Sequence, residues 1–77
     1  GRLPAYGPIR IGSRVILHRH RAVNGDANWD ETMAQYVGRQ ATVTSLAGVD
    51  NAGCPEVQVE IDNTGWYWRI RDMSILN

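Results

Sequence analysis

The sequence has no lysine, no phenylalanine, one cysteine and no long apolar run. A single cysteine, Cys54, cannot form an internal disulfide, which argues against the small secreted scaffolds that depend on such cross-links. No apolar stretch approaches the roughly 18–20 residues of a membrane-spanning helix, and no signal-peptide pattern is present. The sequence therefore predicts a domain with neither a membrane span nor a disulfide framework.

Net charge is also absent, because eight arginines balance eight acidic residues. A neutral domain has no general field that attracts nucleic acid or anionic membrane, so nucleic acid is not an expected partner. The length of 77 residues allows one small domain, and 43% apolar with 21% charged residues is typical of a globular chain. Residues 1–8 are predicted to be a linker or lead-in, and residues 9–77 the domain.

Alternating apolar and polar residues predict several short strands. The clearest has Val57, Val59 and Ile61 facing inward and Asp62 outward. The predicted strands cover residues 14–20, 39–46, 56–62, 66–72 and 73–76, with a turn-rich loop at 47–55 and a hairpin turn at D-N-T-G. Because closure hides the edges of so small a sheet, the predicted fold is mainly β: a small antiparallel barrel of about five strands.

One short helix is predicted in the first long loop, at about residues 29–37. Trp29, Met33 and Tyr36 form a one-sided apolar stripe at helical spacing. Asn28 is the predicted N-cap, and Glu31, three residues later, fits a capping box.

Four motifs, in this order, are similar to those of a known family. They are G-S-R-V at residues 12–15, V-G-R-Q-A-T-V at 37–43, V-Q-V-E-I-D at 57–62 and W-R-I-R-D-M at 68–73. Together they resemble SH3-like barrels, and distantly the mind-bomb-type repeat of ubiquitin ligases. The chain departs from that repeat at Glu60, where the family has a hairpin tryptophan, and in its longer, helical loop around Trp29. The resemblance implies an SH3-like fold and non-catalytic binding of peptide segments.

A D-x-N-x-D pattern at Asp26, Asn28 and Asp30 places three oxygen side chains close together. An EF-hand loop starting at Asp26 requires glycine at its sixth position and glutamate at its twelfth, but these positions hold Glu31 and Val37. The EF-hand is therefore excluded. A looser calcium loop and a capped helix start remain as alternatives, and both need the side chain of Asn28. The capped start is favoured, so neither a metal nor a cofactor is predicted.

The residues suited to catalysis are not spaced in a pattern that is typical of an active site. His18 and His20 share one face of a predicted strand, a spacing open to two zinc ligands, but flanking arginines favour surface histidines. Cys54 lies in a turn, where use as a small buried side chain is the default. No carboxylate pair has a spacing that demands acid–base chemistry. The sequence therefore predicts no enzyme.

Aromatic residues carry the most functional information. Trp66 and Trp68 are predicted to be divided between the core and its rim, whereas Tyr67 lies on the opposite strand face with Arg69 and Arg71. Aromatic and arginine side chains dominate binding hot spots. The predicted ligand-binding residues are Trp29, Tyr36, Tyr67, Arg69 and Arg71. An alternative is that Arg69 and Arg71 only pair across strands with Glu56, Glu60 or Asp62.

These patterns lead to one functional expectation with two alternatives. The expected function is a non-catalytic module of a larger protein that binds a protein or peptide segment, with aromatic side chains burying an extended ligand. One alternative is an extracellular or envelope module that binds calcium or glycans through residues 26–31. The other is a structural spacer domain.

Overall fold

The computed structural model describes residues 6–20, 29–50 and 52–76, and they form a mainly β structure. Five antiparallel strands make one sheet in the order β4-β3-β2-β1-β5. The strands are β1 (Arg14–Leu17), β2 (Gln40–Val49), β3 (Pro55–Val59), β4 (Trp68–Arg69) and β5 (Met73–Ile75). The prediction of about five antiparallel strands is confirmed. In these three ranges no helix is long and apolar enough to cross a membrane.

The core lies on one face of this sheet, as the alternation predicts. Val15 and Leu17 of β1 and Val57 and Val59 of β3 are fully buried, because alternate side chains of a strand point to the same face. Trp68 is the largest fully buried side chain. It occupies the centre that a phenylalanine-free sequence must fill with another ring.

The β2–β3 hairpin is longer than the alternation indicates. Pairing continues past Leu46 through Gly48↔Glu56 to Val49↔Pro55. The prediction that residues 47–55 form one loop is therefore wrong, and the connection shrinks to a turn from Asp50 to Cys54. Register shifts near Ser45 and Gly48 break the two-residue period, which explains why the period of two ends before the strand does.

The fourth predicted strand, 66–72, is also wrong in its extent. Only Trp68 and Arg69 form β4, and Ile70–Asp72 follow as a 3-10 helix. Both residues of β4 are buried, so the simple division into an inner and an outer face fails here. The turn brings Asp72 back onto Arg69, and this contact explains why the strand stops where it does.

The predicted helix in the first long loop is a 3-10 helix, Glu31–Tyr36, that begins later than expected. Its N-cap is Asp30, whose Oδ1 accepts hydrogen bonds from the Thr32 amide (2.9 Å) and the Thr32 hydroxyl (2.7 Å). The Asp30 amide donates to Met33 Sδ at 3.4 Å. Asn28, the predicted cap, lies outside the described residues.

The segment predicted as a lead-in contributes a contact to the sheet. The Tyr6 hydroxyl lies 3.0 and 3.1 Å from the carbonyl oxygens of Gly48 and Glu56, which share its single donor hydrogen, and it accepts from the Gly48 amide at 2.9 Å. Its ring packs against the core. Tyr6 thus fastens the start of the domain to the β2–β3 hairpin.

Candidate functional site

Two of the predicted binding residues meet at the buried ring of Trp68. Trp29 and Tyr36 are half-buried, and each contacts Trp68 edge to face, with centroid distances of 6.0 and 6.5 Å and interplanar angles of 82°. This geometry is favourable for aromatic pairs. The result is a fixed aromatic cluster that has its base in the core and its rim at the surface.

Arg69 is buried below this cluster and does not form part of an exposed face. It is 2% exposed, and its Nε and Nη2 donate to Asp72 Oδ2 at 3.0 and 2.8 Å. Its Nη1 lies 3.8 Å from Asp50 Oδ2. The prediction that Arg69 shares an outer strand face with Tyr67 is therefore wrong, because two buried carboxylates hold the guanidinium inside.

Asp50 joins this buried ion network to the β2–β3 turn. Its Oδ1 accepts hydrogen bonds from the amides of Ala52 and Cys54, both at 2.9 Å. Its buried Oδ2 has no hydrogen bond among the described residues and faces Arg69 as an ion pair only. One carboxylate thus fixes both the turn and the guanidinium.

His20 connects the ion network to the aromatic cluster. Its Nδ1 lies 2.7 Å from Arg69 Nη2 and 3.6 Å from Asp72 Oδ2. A guanidinium can only donate, so the ring nitrogen facing Arg69 accepts. The imidazole also stacks on Trp29, at 5.9 Å between centroids and 28° between planes. His20 therefore helps to position Trp29.

The described residues supply no third ligand for a zinc site at His18 and His20. His18 lies instead 2.7 Å from the Ser74 hydroxyl. Among the described residues, no group of three or more His, Cys, Asp and Glu side chains is placed to hold a metal ion.

Above the cluster, the cationic side chain of Arg19 lies over the ring of Trp29. The Arg19 guanidinium lies 5.3 Å from the Trp29 ring centroid, and its Nη2 is 3.2 Å from Glu31 Oε1. Trp29 Nε1 donates to the same oxygen at 3.1 Å. The side chains of Arg19 and Glu31 are 60% and 74% exposed, and such pairs contribute less than about 1 kcal/mol. Arg19 can therefore leave Glu31 at small cost.

Tyr67 is the most exposed of the predicted aromatic residues, at 55%. It borders a groove of about 320 Å3 that also includes Trp66 and Glu56. It also borders a narrow cleft of about 10 Å3 between Trp29 and His20. Tyr67 therefore joins these two depressions.

A third depression, of about 370 Å3, shares only the buried Asp72 with the cleft. Its lining is His18, Arg19, Arg71, Asp72, Met73 and Ser74. The cleft has room for no more than about one water molecule, so this side of the molecule has two separate depressions, of about 320 and 370 Å3, and no continuous channel. We call these two depressions, with Trp29 at the cleft between them, the composite groove.

Arg71 is exposed, as predicted, and two of the three acids proposed as its alternative partners, Glu60 and Asp62, accept hydrogen bonds from other groups. Glu60 accepts from the Thr42 amide at 2.8 Å. Asp62, predicted to face outward, is buried and accepts from Trp68 Nε1 at 2.8 Å. The indole needs a partner once it is buried, and this need draws Asp62 inward. Arg71 itself places Nη1 3.7 Å from Cys54 Sγ.

The contact between His18 and Ser74 is the arrangement that comes nearest to catalytic chemistry. A serine that donates to an imidazole resembles a nucleophile with its base. Both side chains are exposed to water, and among the described residues no carboxylate orients the other ring nitrogen. Such a pair lacks the enclosed, preorganised surroundings that activate a nucleophile.

The calcium alternative retains one described residue, Asp30. Its hydrogen bonds from the Thr32 hydroxyl and amide hold the pKa of Asp30 below its ordinary value of 3.8. The Oδ1 of Asp30 is thus already engaged by the helix cap. Asp26 and Asn28 lie outside the described residues, so the calcium loop remains a prediction.

The structure brings most of the predicted binding residues to one side of the molecule, but with different roles. Trp29, Tyr67 and Arg71 line the composite groove, Tyr36 supports Trp68, and Arg69 forms the floor. Sequence reasoning missed Asp50 and Asp72, and it considered His20 only as a zinc ligand or a surface histidine. No protein-family model, curated protein or solved structure matches the chain.

Proposed function

We propose that this chain is a non-catalytic module that binds a peptide segment of another protein along the composite groove. The observation that carries the proposal is the exposed ring of Tyr67 beside Trp29, above a floor of buried, mutually fixed side chains. Aromatic anchors on a rigid base lose little conformational entropy on binding, which favours affinity. The resemblance to SH3-like barrels, and with it barrel closure, belongs to the same proposal.

The ion network supports binding by keeping the floor in place. Arg69 is held by two carboxylates from different parts of the chain, Asp50 of the hairpin turn and Asp72 of the second 3-10 helix. His20 extends this support to Trp29. A ligand therefore meets a surface that is already ordered, so little of the binding free energy is spent on ordering it.

The test measures peptide binding with and without Tyr67. Peptides selected from a random library on the 77-residue chain are titrated against Tyr67→Ser. We expect a loss of about thirtyfold in affinity, because a hot-spot aromatic residue contributes about 2 kcal/mol. The matched control is Leu46→Ser, which removes an apolar side chain of similar exposure, 42%, outside the composite groove.

Both variants should melt close to the unchanged chain, since both positions are exposed. If the library yields no binding peptide, or if both variants bind the selected peptides equally well, the proposal is wrong. The spacer alternative then explains the chain better.

A further inference from the structure

We infer that the peptide bound by this module is acidic, with Asp or Glu side chains at the end of the composite groove that is lined by His18, Arg19 and Arg71. The inference rests on the proposed function and adds the chemical class of the partner. The reason is charge complementarity between this end of the groove and a carboxylate.

The exposed charged side chains that line this end are both arginines, although the whole chain is neutral. Arg19 and Arg71 line the depression of about 370 Å3 together with His18. The one acid in the lining, Asp72, has a side chain only 3% exposed, and its Oδ2 is bound to Arg69. Asp72 therefore compensates Arg69 below the surface and adds no exposed negative charge to the lining.

Arg19 is available to a ligand in spite of its contact with Glu31. That pair is exposed on both sides, and the free energy of an exposed ion pair is small. A carboxylate that enters the groove replaces one weak partner of Arg19 with another. Because Arg19 lies over the Trp29 ring, an acidic residue bound there sits next to the aromatic surface that holds the rest of the peptide.

Hydrogen-bond donors in the depression complete the fit. Guanidinium groups match carboxylates in bidentate geometry. The Ser74 hydroxyl and the His18 imidazole are hydrogen-bonded to each other at 2.7 Å. This bond uses one of their two donors and leaves the other for a carboxylate. The neutral net charge of the chain favours a short acidic peptide over a nucleic acid, which requires a wider positive field.

The experiment selects random peptides with blocked carboxyl termini on the 77-residue chain and compares their composition with that of the unselected library. We expect enrichment in Asp and Glu, and an affinity that falls as salt is raised. Arg71→Gln should weaken the binding of a selected acidic peptide about tenfold, which corresponds to one lost charge-assisted hydrogen bond. Arg39→Gln, an exposed arginine outside the depression, should leave the affinity unchanged.

Failure of this inference differs from failure of the proposed function. Selected peptides that bind through Tyr67 but are neutral or rich in Arg and Lys, or that bind Arg71→Gln as well as the unchanged chain, would overturn the inference alone. A single-stranded oligonucleotide that displaces the selected peptides and binds more tightly than all of them would also overturn it. A library that yields no binding peptide overturns both.

Discussion

At the scale of single residues, Arg69 is the side chain on which the site depends most. It is buried between Asp72 and Asp50, and its removal leaves two buried carboxylates without their cation. We predict that Arg69→Met lowers the free energy of unfolding by about 3–5 kcal/mol. The measurement is urea unfolding followed by tryptophan fluorescence.

Arg71→Met is the control for this prediction, because it makes the same chemical change two residues away at an exposed position. Its effect should be below about 0.5 kcal/mol. If Arg69→Met is as stable as Arg71→Met, the ion network contributes nothing to the fold and cannot serve as the floor of the groove.

The contact between Trp68 and Asp62 gives a second prediction at this scale. Trp68→Phe keeps most of the buried ring but removes the donor 2.8 Å from Asp62 Oδ2. Asp62 Oδ1 already has no hydrogen-bond partner among the described residues. The variant should therefore be less stable by about 1–3 kcal/mol, the cost of an unpaired buried acceptor together with the lost ring volume.

A double-mutant cycle isolates the hydrogen bond from the lost volume. Each single variant, Asp62→Leu or Trp68→Phe, leaves one partner of the hydrogen bond buried and unpaired, whereas the double variant removes both partners. If the bond stabilises the fold, the double variant should therefore lose less stability than the sum of the two single losses. Strict additivity in thermal unfolding would contradict the role given to this contact.

At the scale of elements, the first 3-10 helix depends on its Asp30 cap. The pKa of Asp30 is lowered by the hydrogen bonds from Thr32, so the ionised carboxylate stabilises the folded state above the unfolded pKa of about 3.8. This contribution is lost as the pH falls through the lower, folded pKa. Asp30→Ala should therefore lower the melting temperature near pH 6, and the difference from the unchanged chain should shrink below pH 3.8.

Asp30→Asn serves as the control for this prediction. Its amide oxygen still accepts from Thr32, but it does not titrate. Asp30→Asn should therefore melt closer to the unchanged chain near pH 6. Its stability should lack the contribution that the unchanged chain loses when Asp30 is protonated in acid. An Asp30→Ala deficit that stays constant from pH 6 to pH 3 would show that the charge of the cap plays no part.

The turn after β3 is a second element with a local test. Asn63 and Thr64 both have φ of 58°, a conformation that costs a β-branched residue such as threonine more than glycine. Thr64→Gly should raise the free energy of unfolding by about 0.5–1 kcal/mol, since Asn-Gly is the preferred pair for this kind of turn. Thr44→Gly, within β2, should lower it by a similar amount. A Thr64→Gly variant that is destabilised would mean that the threonine contacts outweigh the backbone strain.

Elements show where sequence reasoning succeeds and where it stops. The alternation of Val57 and Val59 locates β3 and its buried face, because it depends only on neighbours along the strand, but the strand ends at Val59 and not at Asp62 as predicted. The end of β4 depends on Arg69 meeting Asp72 and on Asp50 arriving from a distant turn. The R-I-R-D spacing was the one local signal of the first of these contacts. No local pattern indicates the contact between Arg69 and Asp50, and strand alternation alone therefore places Arg69 on the wrong face.

At the scale of the whole molecule, the composite groove is assembled from segments far apart in the chain. His20 and Trp29 flank the first long loop, whereas Tyr67 and Arg71 flank β4. Composition and hot-spot chemistry pointed to Trp29, Tyr67 and Arg71 as surface candidates. The floor beneath them depends on the sheet order β4-β3-β2-β1-β5. This order decides which loops lie next to each other, and no single segment of the sequence specifies it.

The extent of the folding unit gives the last prediction. If residues 1–8 are only a linker, a chain that begins at Ile9 should melt like the full chain. The structure indicates otherwise, because the Tyr6 hydroxyl bonds to Gly48 and Glu56 across the β2–β3 hairpin. We expect the shortened chain to lose about 1–3 kcal/mol of stability through these hydrogen bonds and the half-buried ring. Tyr6→Phe in the full chain, which removes the hydroxyl alone, should lose about 1 kcal/mol. Equal melting temperatures for all three chains would show that the folded domain begins at Ile9. A loss confined to the shortened chain would assign the anchoring to the Tyr6 ring or to other residues of the segment, and not to its hydroxyl.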